Sequence, residues 1–224
     1  MTDTKSHQRV NDILLGSLER PALLWFSAHM PAWINPDILT LIGILGAVII
    51  CAGYVLSNVS SGFLWLASLG FVINWFGDSL DGSLARYRKI ERPKYGFFVD
   101  HTVDAFSQLL IFLGLGLSPY VSFSIAALAL VGYLLMSVLV YVDTYVSGVF
   151  KISYGKFGPT EMRVIAILVN TAFLLVGRPE VKTALGTVSV YDLVVLAIAL
   201  AFVFVFLVST AKRARELAKL EEGG

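Results

Sequence analysis

A single cysteine, Cys51, excludes an internal disulfide and any sulfur framework holding the chain together. Charge is scarce as well. Asp, Glu, Lys and Arg make up only 15% of the 224 residues and balance to a net +1, which leaves no electrostatic footprint for a nucleic-acid partner. Internal repeats and a second soluble domain are both missing. The stretch Met1–Gln8 is polar and lacks the basic-then-apolar form of a cleavable signal. What fills the chain instead is apolar surface: 57% hydrophobic residues and a mean hydropathy of +0.77, too apolar for a soluble domain of this length.

Six stretches are long enough to cross a bilayer as helices, at about 37–57, 62–86, 97–117, 121–148, 162–178 and 190–211. The short links Ser57–Ser61 and Ser118–Tyr120 make their flanking helices antiparallel neighbours. The expected fold is an all-α integral membrane protein. An interfacial segment occupies 1–30, a six-helix transmembrane domain 31–212 and a cytoplasmic tail 213–224.

Lysine and arginine sort sharply across the links. Fifteen of the 17 fall on one side, in the groups Lys5 to Arg20, Arg86 to Lys94, Lys151 to Arg163 and Lys212 to Lys219; Arg178 and Lys182 face the other. The positive-inside rule then puts both termini in the cytoplasm. Most of these cations are expected to face anionic headgroups; some could form an anion pocket.

Residues 8–30 follow another pattern. Val10, Ile13, Leu14 and Leu18 recur at steps of three and four among Asn11, Asp12, Ser17, Glu19 and Arg20. This reads as an amphipathic segment in the interface, with Trp25 and Trp33 as anchors and Pro21 as a break or restart. An ordinary helix packed on the bundle is the plainer alternative.

Four acids sit at the cytoplasmic ends of the second and third spans, as the pairs Asp78/Asp81 and Asp100/Asp104. Their spacing puts each pair on one helix face. A carboxylate at the bilayer centre costs about 2.5–3.5 kcal/mol on insertion scales, so such acids mark function by default. Facing pairs need cations, and oxygen donors without Cys or a His pair favour Mg²⁺ or Mn²⁺. Gly82 and Ala85 leave room for a bulky ligand against the helix. Arg86 offers a bidentate fork for phosphate. Gly96 allows close approach, and Asp104, one turn deeper than Asp100, could take a proton from an attacking hydroxyl.

Residues 78–104 read DSLDGSLARYRKIERPKYGFFVDHTVD. The run resembles the signature of the CDP-alcohol phosphotransferase family, D-x2-D-G-x2-A-R followed by G-x3-D-x3-D, with all eight signature residues present. Nine residues separate Arg86 from Gly96 where the usual spacer is eight, the extra one falling in the basic turn with Pro93. Upstream, NPDILTLIG at 35–43 is similar to the family's lead-in, with Asp37 where asparagine is usual.

The resemblance implies a two-metal transfer of a substituted phosphate from a CDP-alcohol to an acceptor hydroxyl, with release of CMP. In the implied roles Asp78, Asp81 and Asp100 bind metal, and Asp104 is the general base beside them. It further implies CDP-alcohol and lipid substrates and a homodimer. No Cys or Ser nucleophile stands out, so direct transfer is expected.

Two branches put the lipid on opposite reactants. His101 directly after Asp100 looks like the D-H-G-x-D form of choline and ethanolamine phosphotransferases, although Thr102 replaces its glycine. GKFGPTE at 155–161 is similar to an element of the same branch. His101 with Glu161 would make additional base machinery for a lipid hydroxyl; the plainer alternatives are a His that orients a metal-bound aspartate and a Glu that complements its helix start. The preferred reading is therefore a CDP-aminoalcohol donor with diacylglycerol as acceptor. The alternative is a CDP-diacylglycerol donor with a small polar alcohol or polyol phosphate. A divalent-cation transporter would share the acids but not the small residues at 82 and 85 or Arg86.

Gly43, Gly46, Gly114 and Gly116 read as close-packing positions, and Asn74, Gln108 and Asn170 as interhelical hydrogen bonders. Asp143 is open between site and interface.

Overall fold

The computed structural model describes residues 15–147, 158–183 and 186–222. Lys5, Arg9, the first half of the amphipathic pattern, Lys151, Lys156 and the GKF of the 155–161 loop lie outside them. Among the described residues the chain forms α1 (Gly16–His29), α2 (Pro36–Leu56), α3 (Leu64–Tyr87), α4 (Pro93–Gly116), α5 (Phe123–Ser147), α6 (Pro159–Val176) and α7 (Val190–Glu222). A hairpin of β1 (Glu180–Thr183) and β2 (Gly186–Ser189) links the last two helices. Six helices are long and apolar enough to cross a membrane, so the chain is an all-α, multi-pass membrane protein.

Local chemistry explains the helix ends. Asn35 caps α2 by accepting the Ile38 N–H at 2.9 Å, with Pro36 in the first position, where its missing N–H is harmless. Pro93 and Pro159 open α4 and α6 in the same way. The end of α3 closes with the Ile90 N–H on the Ala85 carbonyl and the Lys89 N–H on Arg86, which puts Lys89 in the left-handed region at φ 58°. The turn carrying the additional spacer residue is thus a defined helix stop.

α2 and α3 pack as a close antiparallel pair. A Cβ on Gly46 would come 2.7 Å from Asn74 Cα, and one on Gly77 would fall onto the backbone of Gly43 and Leu39. Such an approach is how membrane helices gain packing without a hydrophobic drive between them. Gly114 of α4 meets α2 at Cys51 in the same manner. Around this pair lie two apolar clusters. Leu39, Leu80 and Leu84 support the site end, together with Leu23, Phe26 and Phe76. Tyr54, Phe71, Tyr120 and Phe173 fill the other end. Between helices, Asn170 accepts from the Tyr54 hydroxyl at 2.9 Å and donates to Ser68 at 3.2 Å. Asp192 of α7 accepts from Ser122 N–H at 2.7 Å and ties the hairpin end to the start of α5.

α4 and α6 begin a few residues earlier than expected, at Pro93 and Pro159, and three larger differences stand beside this. α1 runs through Pro21 without a break. The proline comes early in the helix, and both it and Ser17, whose carbonyl loses its partner, are exposed. α7 continues past 211 to Glu222 as one helix, because its polar end is rich in Ala, Leu, Lys, Arg and Glu. The β1–β2 hairpin replaces a plain link, its Val and Thr residues favouring strand pairing. Trp25 and Trp33 are 58% and 74% exposed, as interfacial anchors would be.

Candidate active site

The last turns of α3 and the first turns of α4 bring the acids together. Carboxylate oxygens of Asp78, Asp100 and Asp104 all lie within 4.8 Å of one another. Asp81 is held separately: Thr40 donates to its Oδ2 at 2.7 Å, and the Gly82 N–H donates to its Oδ1 at 2.5 Å. A small cavity between α2, α3 and α4 joins Asp81 to Asp78 and Asp100 and is lined also by Thr40, Asn74 and Ser107. Three half-buried carboxylates at this separation, with only oxygen donors, fit a hard divalent ion.

The flanking residues leave space on the solvent side. A Cβ on Gly82 would stand 3.3 Å from Arg86 Nη1, so the guanidinium lies over a position with no side chain. Arg86 is exposed and donates to Ser83 Oγ at 3.2 Å. Gly96, in the first turn of α4, has nothing within 4 Å of where a Cβ would be. Ala85 is half-buried beside Arg86.

His101 and Glu161 take different partners. The His101 ring pairs its Nδ1 with the Phe97 carbonyl at 2.8 Å, lies 3.7 Å from Asp100, stacks on Phe97 and meets Tyr141 edge-on. Glu161 is buried; its Oε2 accepts the Gly158 N–H at 2.9 Å and its Oε1 the Leu15 N–H at 2.8 Å. That geometry matches the helix-start alternative for Glu161.

Thr40 and Arg163 escaped the sequence reading in their roles, whereas Asn74 makes the interhelical hydrogen bonds expected of it. Arg163 of α6 donates from Nη2 to Asp78 Oδ2 at 2.5 Å and from Nε to Asn74 Oδ1 at 2.9 Å. Its third nitrogen, Nη1, is buried with no hydrogen-bond partner among the described residues. Asn74, one turn before Asp78, also donates to the Gly43 carbonyl at 2.9 Å. The signal for Arg163 was its place two residues after Glu161 in the loop motif; without the fold it was one basic residue among many. Asp143 belongs to the helix interface, where it accepts from Arg213 Nε at 2.5 Å between α5 and α7.

A helix bundle carrying an intramembrane carboxylate cluster, with guanidinium groups on two sides, brings together oxygen donors for a hard cation and donors for an anion. The model of the CDP-alcohol phosphatidyltransferase family matches residues 33–207, and the chain belongs to that family. It is 37% identical over 91 residues to a phosphatidylinositol phosphate synthase of Cutibacterium acnes, covering 40% of this chain and 41% of that protein. An archaetidylinositol phosphate synthase of Pyrococcus horikoshii is 30% identical over 141 residues, 62% of this chain and 70% of the relative. Cholinephosphotransferase 1 of Danio rerio is 26% identical over 190 residues, covering 80% and 49%. The chain spans less than half the length of the first and last of these relatives.

Proposed function

We propose that the protein transfers a phosphatidyl group from CDP-diacylglycerol to the hydroxyl of a phosphorylated polyol, at a site facing the cytoplasm. The observation that carries this choice is Arg163. Its guanidinium already satisfies Asp78 and Asn74, yet among the described residues Nη1 is buried beside the acid cluster with no hydrogen-bond partner. A buried cationic donor without an acceptor is costly, and a phosphate on the acceptor supplies one. The relatives named as synthases of phosphatidylinositol phosphate and archaetidylinositol phosphate support the same class, since those lipids carry a phosphorylated polyol head.

Asp78, Asp81, Asp100 and Asp104 would hold divalent ions, Mg²⁺ or Mn²⁺ and two in number. Bound there, such ions neutralise the diphosphate and the departing phosphate. Gly82, Ala85 and Gly96 admit the nucleotide, and Arg86 grips its phosphate from the exposed side. The acceptor oxygen attacks the phosphorus distal to cytidine and forms the new P–O bond, while the bond to CMP breaks. Asp104 takes the hydroxyl proton. Glu161 serves as scaffold for the start of α6, and His101, its Nδ1 held by the Phe97 carbonyl, stands beside Asp100.

A second reading, a CDP-aminoalcohol donor with diacylglycerol as acceptor, rests on His101 beside Asp100 and on the likeness to cholinephosphotransferase 1 over most of the chain. One assay separates them: Mg²⁺-dependent CMP release by protein in liposomes. The two mixtures are CDP-diacylglycerol with inositol phosphate or glycerol phosphate, and CDP-choline or CDP-ethanolamine with diacylglycerol. Release from the first alone is the expected result. Release from the second alone overturns the proposal, and silence in both with metal flux across the bilayer would indicate a transporter.

A further inference from the structure

Glu19, in the interfacial helix α1, accepts two hydrogen bonds through one oxygen. The Trp75 indole N–H of α3 donates to Oε1 at 2.9 Å, and the Thr160 hydroxyl of α6 donates to the same atom at 2.7 Å. Trp75 stands three residues before Asp78, and Thr160 stands three before Arg163. The Arg163 guanidinium crosses the same gap between α6 and α3 to reach Asp78 and Asn74, the latter adjacent to Trp75. The two helices are therefore cross-linked twice, once through Glu19 and once through Arg163.

We infer that Glu19 is a positioning residue: from α1 it fixes the start of α6 against α3 and so sets the reach of Arg163 toward the acceptor's phosphate. This rests on the acceptor reading above. Both donors to the half-buried Glu19 carboxylate among the described residues are neutral, so these contacts fix geometry. A second tie, from Leu15 N–H to Glu161, joins the start of α1 to α6. Another face of α1 exposes Leu18 and Trp25, 72% and 58% accessible, which would seat the helix among lipid headgroups. The plainer role for Glu19, a first-turn acid complementing the α1 dipole, would not depend on Arg163.

The test is a cycle of Glu19→Ala and Arg163→Ala on the full chain in nanodiscs, with CDP-diacylglycerol fixed and glycerol phosphate or inositol phosphate varied. Glu19→Ala is expected to raise the acceptor KM on the order of tenfold, with kcat and the CDP-diacylglycerol KM nearly unchanged. In the Arg163→Ala background the same change should add less than about twofold. Glu19→Gln, which keeps an acceptor oxygen, should restore the wild-type KM, and Thr160→Val should reproduce part of the rise should Glu19→Ala not fold. Equal KM penalties in both backgrounds, or a Gln variant as poor as Ala, overturn the inference. Hydrogen exchange at the start of α6 supplies a readout independent of turnover: faster exchange in Glu19→Ala but not in Glu19→Gln is expected, and no change overturns the positioning role. If the wild type turns over only unphosphorylated alcohols or diacylglycerol, the acceptor reading fails, and the exchange result still decides whether Glu19 positions α6.

Discussion

Thr40 of α2 donates its hydroxyl hydrogen to Asp81 Oδ2 at 2.7 Å across the tightest helix crossing in the described structure. The same oxygen set also takes the Gly82 N–H, so Asp81 is oriented from two sides before any ion arrives. Partners of this kind, behind a metal ligand, typically account for about 10–100-fold in metal affinity or activity. Thr40→Val keeps the shape and removes the donor. The half-saturating Mg²⁺ concentration for CMP release should rise about tenfold or more, with turnover recovering at high Mg²⁺. An unchanged Mg²⁺ curve would remove Thr40 from the site.

Asp104 lies in the carboxylate cluster and one turn deeper than Asp100. Asp104→Asn retains an oxygen that can still face an ion but cannot take a proton. Turnover should fall by about 10²–10⁴, the range of a lost general base. Binding of the CDP-alcohol, followed by calorimetry in the presence of Mg²⁺, should persist. Full activity in this variant would exclude the base role.

The α2–α3 crossing fixes the floor of the site through Gly77, the residue before Asp78. A Cβ there would overlap the backbone of Gly43 and Leu39 rather than any movable side-chain tip. Gly77→Ala must therefore push the two helices apart and carry Asp78 and Asp81 away from Thr40. Activity should be lost together with thermal stability in detergent. Gly96→Ala, where the surroundings are open, should leave stability unchanged and affect only substrate KM. Equal melting temperatures for Gly77→Ala and the wild type would contradict the close-crossing account.

The sequence made the spans and the acid signature legible because both are carried by composition and local spacing. Long apolar runs need no partner to be recognised, and Asp78, Asp81, Asp100 and Asp104 keep their one-turn separations in any helix. Residues whose meaning comes from another helix were not legible. Arg163 stands 85 positions from Asp78, and Thr40 stands 41 from Asp81. Nothing in helical periodicity joins such distant positions. Glu161 shows the opposite difficulty: its local role at the helix start was readable, while pairing with His101 depended on a tertiary meeting for which spacing gave no evidence. Pro21 was read by its usual effect on a helix interior, and its early, exposed position in α1 removed that effect.

Asp143 tests whether every acid in this membrane protein belongs to the chemistry. It pairs with Arg213 Nε at 2.5 Å, and Arg213 also reaches Glu216 within α7. Both partners of the first pair are partly exposed, 24% and 31%, so solvent screens the interaction and its contribution to stability is small. Asp143→Asn should keep kcat and both KM values within about twofold, since exposed pairs are weak and the residue lies at the α5–α7 contact rather than in the acid cluster. Arg213→Ala should lower thermal stability slightly and no further when combined with Asp143→Asn, because the two changes remove the same pair. A tenfold or greater loss of turnover in Asp143→Asn, with stability unchanged, would instead bring α5 into the catalytic site.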